Sequence, residues 1–155
     1  MKKSNLIIVI VLLLITTVFT VIYLPSRTAS APGTLTITYE GKDISVDPFK
    51  APAVDVQGTT INGKGKENVI SDTGVTLLSV LNLADITLDD FSVAKIVSTD
   101  EYSAELTAAE ISSDGVAYLT SSTDDAGALK IKLVVFGDSN SKRQVKDVAR
   151  IELKK

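Results

Sequence analysis

Residues Leu6–Leu24 form an apolar run of 19 residues interrupted only by Thr16, Thr17 and Thr20. A run of this length matches the roughly 20 residues a helix needs to cross a ~30 Å hydrocarbon layer. Each threonine can return its hydroxyl to a carbonyl of the preceding helical turn. Tyr23 stands at the far end, where aromatic belt residues sit, and Lys2 and Lys3 favour a cytoplasmic N-terminus. Ala29-Ser30-Ala31 offers a small-residue cleavage pattern. However, the run exceeds a signal peptide's apolar core of about 7–15 residues, and Pro32 would follow the cut. The expectation is an uncleaved anchor over residues 1–27, a linker over 28–33 and an extracytoplasmic domain over 34–155. The chain would then be a single-pass protein of the cell membrane.

Composition narrows the chemistry available to that domain. The 155-residue chain has no Cys, His or Trp. Disulfides, thiolate or imidazole metal ligands and His-dependent triads are therefore excluded. Beyond Arg27, 13 basic residues face 19 acidic ones, a balance of −6. Such a domain is a poor general binder of nucleic acid or of anionic headgroups. Lys142, Arg143 and Lys146 are a local exception.

Short alternating runs punctuated by turn residues predict strands over 34–39, 43–46, 54–57, 59–61, 66–71, 93–98, 102–106, 116–121, 129–136 and 145–153. Four consecutive apolar residues, Leu133 to Phe136, suggest that 129–136 is a central strand covered on both faces. Asn62-Gly63 suggests a tight hairpin with two left-handed residues. Gly74–Leu83 carries the best helical spacing, with Val75, Leu78 and Leu81 on one face. Thr107 and Glu110 have capping-box spacing for a second short helix. The pattern predicts a mixed, mostly β, α+β domain with one or two short helices.

Several motifs invite chemical readings. Asp72-Thr73-Gly74 is the triplet of aspartic proteases, which need two aspartates sharing a proton and hence a dimer of so short a chain. Ser71 and Val75 depart from the residues that usually flank it. Asn62-Gly63-Lys64-Gly65-Lys66 is rich in glycine and lysine but lacks a P-loop's following Ser or Thr. Asp89-Asp90 and Asp124-Asp125 lack calcium-loop spacing and read as solvated turn acids.

Three segments together resemble the molybdopterin-binding domain of the sulfite oxidase family. They are Gly74-Val75-Thr76-Leu77 running into Leu81, Asp100 to Leu106 (DEYSAEL), and Leu133 to Leu153 with its basic cluster. The match runs from about Val54 to the C-terminus. It implies a sulfite-oxidase-like fold and a molybdopterin cofactor whose phosphate would meet Lys142, Arg143 and Lys146. A guanidinium fork and ammonium groups suit a phosphate dianion. Against this, the family's molybdenum-ligating cysteine and its pterin-contacting histidine have no counterpart, Phe136 replaces a proline, and Gln144 replaces an aromatic residue or histidine.

The leading expectation is a non-catalytic, membrane-anchored binding or interaction module without catalytic or metal-ligating residues. A pterin-binding oxidoreductase or redox accessory protein is the alternative, and a dimeric aspartic protease a second. Protease added to intact spheroplasts should remove the domain. Full protection would overturn the topology, and a mature chain beginning at Pro32 would overturn the anchor.

Overall fold

The alternation in LTITY becomes β1 (Leu35–Tyr39), whose Leu35 and Ile37 are fully buried. This computed structural model describes residues 33–155, so the expected anchor at Leu6–Leu24 lies outside the described residues. Among the described residues, no helix is long and apolar enough to cross a membrane. β2 (Lys42–Val46) returns antiparallel to β1 through Glu40 and Gly41, both left-handed at φ 49° and 76°. A two-residue hairpin turn of this hand requires that pair of angles. Glu40 lacks glycine's freedom there, but its carboxylate is held by Lys155 at 2.6 Å.

The corresponding turn expected at Asn62-Gly63 does not form. β3 (Val54–Ile61) and β4 (Glu67–Thr76) are instead joined by a wider loop in which only Gly65 is left-handed, at φ 74°. Asn62 explains the difference. Its Oδ1 accepts from the backbone N–H groups of Lys64 (2.9 Å) and Lys66 (3.1 Å), fixing a loop with glycine three residues on. Asp124 repeats the arrangement between β7 (Ala117–Thr123) and β8 (Leu129–Val135). It accepts from Ala126 and Ala128, with Gly127 left-handed. Asp124 is therefore a turn-closing acceptor. Its carboxyl is held below the usual range, first by the Ala128 N–H.

β3 and β4 also run longer than predicted. Gly58 does not split β3, and β4 continues through Gly74-Val75-Thr76 to pair with β7. That extension shortens the expected 74–83 helix to α1 (Leu77–Asn82), with Thr76 as its N-cap through a 3.1 Å bond from the Ser79 N–H. Leu77, Val80 and Leu81 are its buried residues, while Leu78 is only partly buried. β5 (Val93–Ser98), β6 (Ser103–Thr107), α2 (Ala108–Ser112) and β9 (Val148–Lys154) complete the domain. Thr107 and Glu110 form the predicted capping box.

Two sheets result: five strands in the order β2-β1-β9-β5-β6 and four in the order β3-β4-β7-β8. β1 and β9 are parallel, and the other strand pairs are antiparallel. The domain is thus mostly β with two short helices. One core draws on both sheets, including Leu35, Ile37, Ile96 and Ile151 from the first and Val75, Leu119 and Leu133 from the second.

β8 is not the central strand expected; it closes one end of its sheet. Leu133, Val134 and Val135 are nonetheless buried, because the segment after β8 folds back over them. The Leu133 N–H donates to the Val145 carbonyl at 2.8 Å. The predicted 145–153 strand is divided for the same reason. Val145 belongs with β8, Asp147 turns left-handed at φ 52°, and β9 begins at Val148 in the other sheet.

Among the described glycines, Gly74 is the one whose added Cβ would meet a neighbouring strand's backbone. A Cβ there would stand 2.5 Å from the Leu119 carbonyl oxygen, whereas one at Gly58 would meet the movable Phe136 ring at 2.7 Å. Gly74→Ala should destabilise the domain by about 1–3 kcal/mol, and Gly58→Ala by less. Chemical-denaturation midpoints check the order, and equal midpoints would contradict it.

Candidate functional site

The predicted basic cluster lies on the segment between β8 and β9, which is fastened along its length. Gln144 substitutes for a missing strand partner. Its Nε2 donates to the Val135 carbonyl at 2.6 Å, and its Oε1 accepts from the Val135 N–H at 3.2 Å. The Tyr102 hydroxyl donates to the Lys142 carbonyl. The Thr99 N–H donates to the Asp147 carbonyl at 3.0 Å. Tyr102, the first residue of the predicted 102–106 strand, stands just before β6, half-exposed, with its hydroxyl tethering this loop.

Arg143 is the centre of the segment. Its Nε donates to both Asp138 oxygens, at 2.9 and 3.1 Å, its Nη2 also meets Asp138, and its Nη1 meets Glu110. Asp138 is mostly covered, with 12% of its side chain exposed, while Arg143 is about one-third exposed. The fork geometry matches carboxylates on two sides. Both neighbours raise the arginine's already high pKa, Asp138 more than Glu110. Glu110 has two tasks. One oxygen caps α2 by accepting from the Thr107 N–H at 2.9 Å, and the other meets Arg143. Its carboxyl is held below the usual range, first by that N–H and then by Arg143. Asp138 and Glu110 were not predicted as partners. The capping-box spacing identified Glu110 as a helix cap, but no sequence signal joined it to Arg143.

Lys142 and Lys146 are exposed, and neither forms an ion pair among the described residues. The β3–β4 loop approaches the same segment. A Cβ at Gly63 would stand 3.7 Å from the Ser141 hydroxyl oxygen. The sequence motifs containing Lys64-Gly65-Lys66 and Lys142-Arg143 are therefore neighbours.

Asp72 lies within β4, opposite Val56, where its exposed carboxylate accepts from the Thr73 N–H at 2.8 Å. Asp90 caps the 3₁₀ turn Leu88–Asp90 by accepting from the Thr87 N–H at 2.7 Å. No group of three or more potential metal-ligating side chains occurs among the described residues. A cleft of about 270 Å³ is lined by residues including Val54, Leu78, Ile111 and Tyr118, with Asp114 as its one carboxylate. It shares no lining residue with the basic segment. No family model and no curated protein matches the chain.

The clasp gives a stability prediction with a defined sign. Glu110→Gln preserves the capping box but removes the charge facing Arg143. It should cost about 1 kcal/mol at neutral pH, given the partial exposure of the pair. Because the folded state lowers the Glu110 pKa, that stabilisation is present above its unfolded value. It is lost as pH falls below the ordinary glutamate range and through the lowered folded value. Denaturant titrations at neutral and acidic pH should show the variant's deficit shrinking. A deficit that grows on acidification would be inconsistent with the clasp.

Proposed function

We propose that the chain is a membrane-anchored, extracytoplasmic binding or interaction module with a sulfite-oxidase-like fold and no catalytic activity of its own. The observation that carries this reading is the engagement of Arg143 by Asp138 and Glu110. In the resemblance, this arginine meets a cofactor phosphate. Here its donors are directed at two carboxylates of the same domain. A phosphate dianion at the fork would have to displace Asp138 or lie beside its negative charge, which opposes binding. The arginine therefore acts as a clasp between α2 and the segment before β9.

The donor set supports the same conclusion for molybdenum. A chain without Cys or His offers no thiolate or imidazole, and so does not fit a site built around a thiolate ligand. The two-sheet, mostly β architecture agrees with the expected fold at a coarse level. The Leu6–Leu24 run and the lysines before it support a single-pass location in the cell membrane with the domain outside.

Lys142 and Lys146 favour the second reading, a pterin-binding redox protein, because their ammonium groups are free to meet an anion. The aspartic-protease reading has weaker support, since Asp72 is part of an antiparallel ladder.

Calorimetric titration of the purified protein with a pterin phosphate, together with metal analysis, distinguishes the first two readings. No saturable heat and no stoichiometric molybdenum are expected. Saturable binding lost in a Lys142→Ala/Lys146→Ala variant, or molybdenum at one equivalent, would establish the pterin reading instead. Asp72→Asn should leave any peptide cleavage by the preparation unchanged.

A further inference from the structure

The contact between Gly63 and Ser141 brings together two lysine-bearing loops that are far apart in sequence. Lys64 and Lys66 lie on the β3–β4 loop, and Lys142 follows Ser141 directly. All three are exposed, and none forms an ion pair among the described residues. Nearby acids leave the patch positive. Arg143 offsets one of the two charges of Asp138 and Glu110, Glu67 flanks Lys66 and Asp147 follows Lys146, so Lys64, Lys66, Lys142, Arg143 and Lys146 outnumber these four acids by one. Lys146 adds a further exposed cation on the same segment. The patch is thus a positive pole on a domain whose overall balance is −6.

The topology sets where this pole lies relative to Gly33, the first described residue. β1 and β9 are parallel, with Thr36 opposite Arg150, so both strands start at the same end of their sheet. The lysine-bearing segment leads directly into β9, while the described chain begins just before β1. Only residues 25–32 separate Leu24 from Gly33. Fully extended at 3.3–3.6 Å per residue, such a linker reaches no more than about 29 Å.

The geometry points to a docking surface for anionic lipid headgroups, formed by Lys64, Lys66 and Lys142 and fixing how the tethered domain sits on its own membrane. This inference rests on the anchored reading above. The phosphate groups of anionic lipids match the patch in charge, and the linker keeps Gly33 within about 29 Å of the residue that would leave the bilayer. An untethered acidic domain would gain little from so few lysines. A tether changes the balance by holding the surface at a high local concentration of headgroups. Each lysine near an anionic surface then favours the docked orientation about fivefold, an advantage that salt screens.

The test uses the full-length chain in vesicles of phosphatidylcholine, with or without phosphatidylglycerol. A membrane-impermeant amine reagent reports each lysine's modification rate by mass spectrometry. Lys42, which pairs with Tyr39 at the opposite end of β1, is the internal reference. On the anionic vesicles, Lys64, Lys66 and Lys142 should react about fivefold more slowly relative to Lys42. High salt should remove the difference. In a Lys64→Gln/Lys142→Gln variant, Lys66 should lose its protection. Equal rates on both vesicle types, or equal slowing of Lys42, would overturn the proposal. Protection by inorganic phosphate on zwitterionic vesicles would assign the patch to a soluble phosphate and overturn the headgroup source. Retention of the chain in vesicles after an alkaline carbonate wash reports the anchor separately, so failure of either idea is distinguishable.

Discussion

Val145 belongs to one sheet and Val148 to the other. Val145 accepts a hydrogen bond from Leu133 in β8, and Val148 stands opposite Ser98 in β5. Only Lys146 and Asp147 lie between them, and Asp147 makes the change of direction in a left-handed conformation. This short crossing holds the ends of β8 and β9 together above one shared core. It also fixes where the preceding residues can go. Phe136 to Gln144 must run back along the end of the sheet, and their polar groups need partners there. Gln144 supplies a side-chain imitation of a strand, and Asp138 and Arg143 pair with each other.

Electrostatics and packing are coupled at this crossing through Glu110. One carboxylate terminates a five-residue helix and receives the guanidinium of the crossing segment. A helix this short gains little from propensity, so most of its stability must come from its cap and its packing. Arg143 and Ile111 supply those contacts from opposite directions: the ion pair at the surface, and a side chain in the core. The partly exposed pair contributes modestly by itself, but it orients two elements whose backbones share no ladder.

The sequence was most legible where one local rule acted alone. The alternation of β5 and the Thr107–Glu110 capping box could both be read directly from residue order. Legibility failed where a distant partner chose between two local options. Gly74-Val75-Thr76 fits a helix start as well as a strand end, and β7 decides for the strand. Asn62-Gly63 fits a tight turn, but the Asn62 side chain captures two N–H groups and selects a wider loop. The apolar run in 133–136 signals burial correctly for Leu133, Val134 and Val135, while Phe136 is only partly covered, and it does not say whether a strand or a folded-back segment provides the cover. For the candidate site, the lysines and arginine were visible in sequence. The acids facing Arg143 were not, since Glu110 is 33 residues away in the chain.

The pairing of β1 with β9 has a consequence for how the chain acquires its structure. Among the described strands these are the first and the last, and they are neighbours inside the same sheet. During synthesis β1 can form its hairpin with β2 at once, but its other edge has no partner until the final strand arrives. Parallel contacts between such remote segments close a large loop before they return any free energy, which slows folding. An open edge bearing Ile37 next to a waiting core is also a place where a second chain could add. The fold therefore assigns its last strand the role of a latch, and the interval before it closes is when the chain is most vulnerable to mispairing.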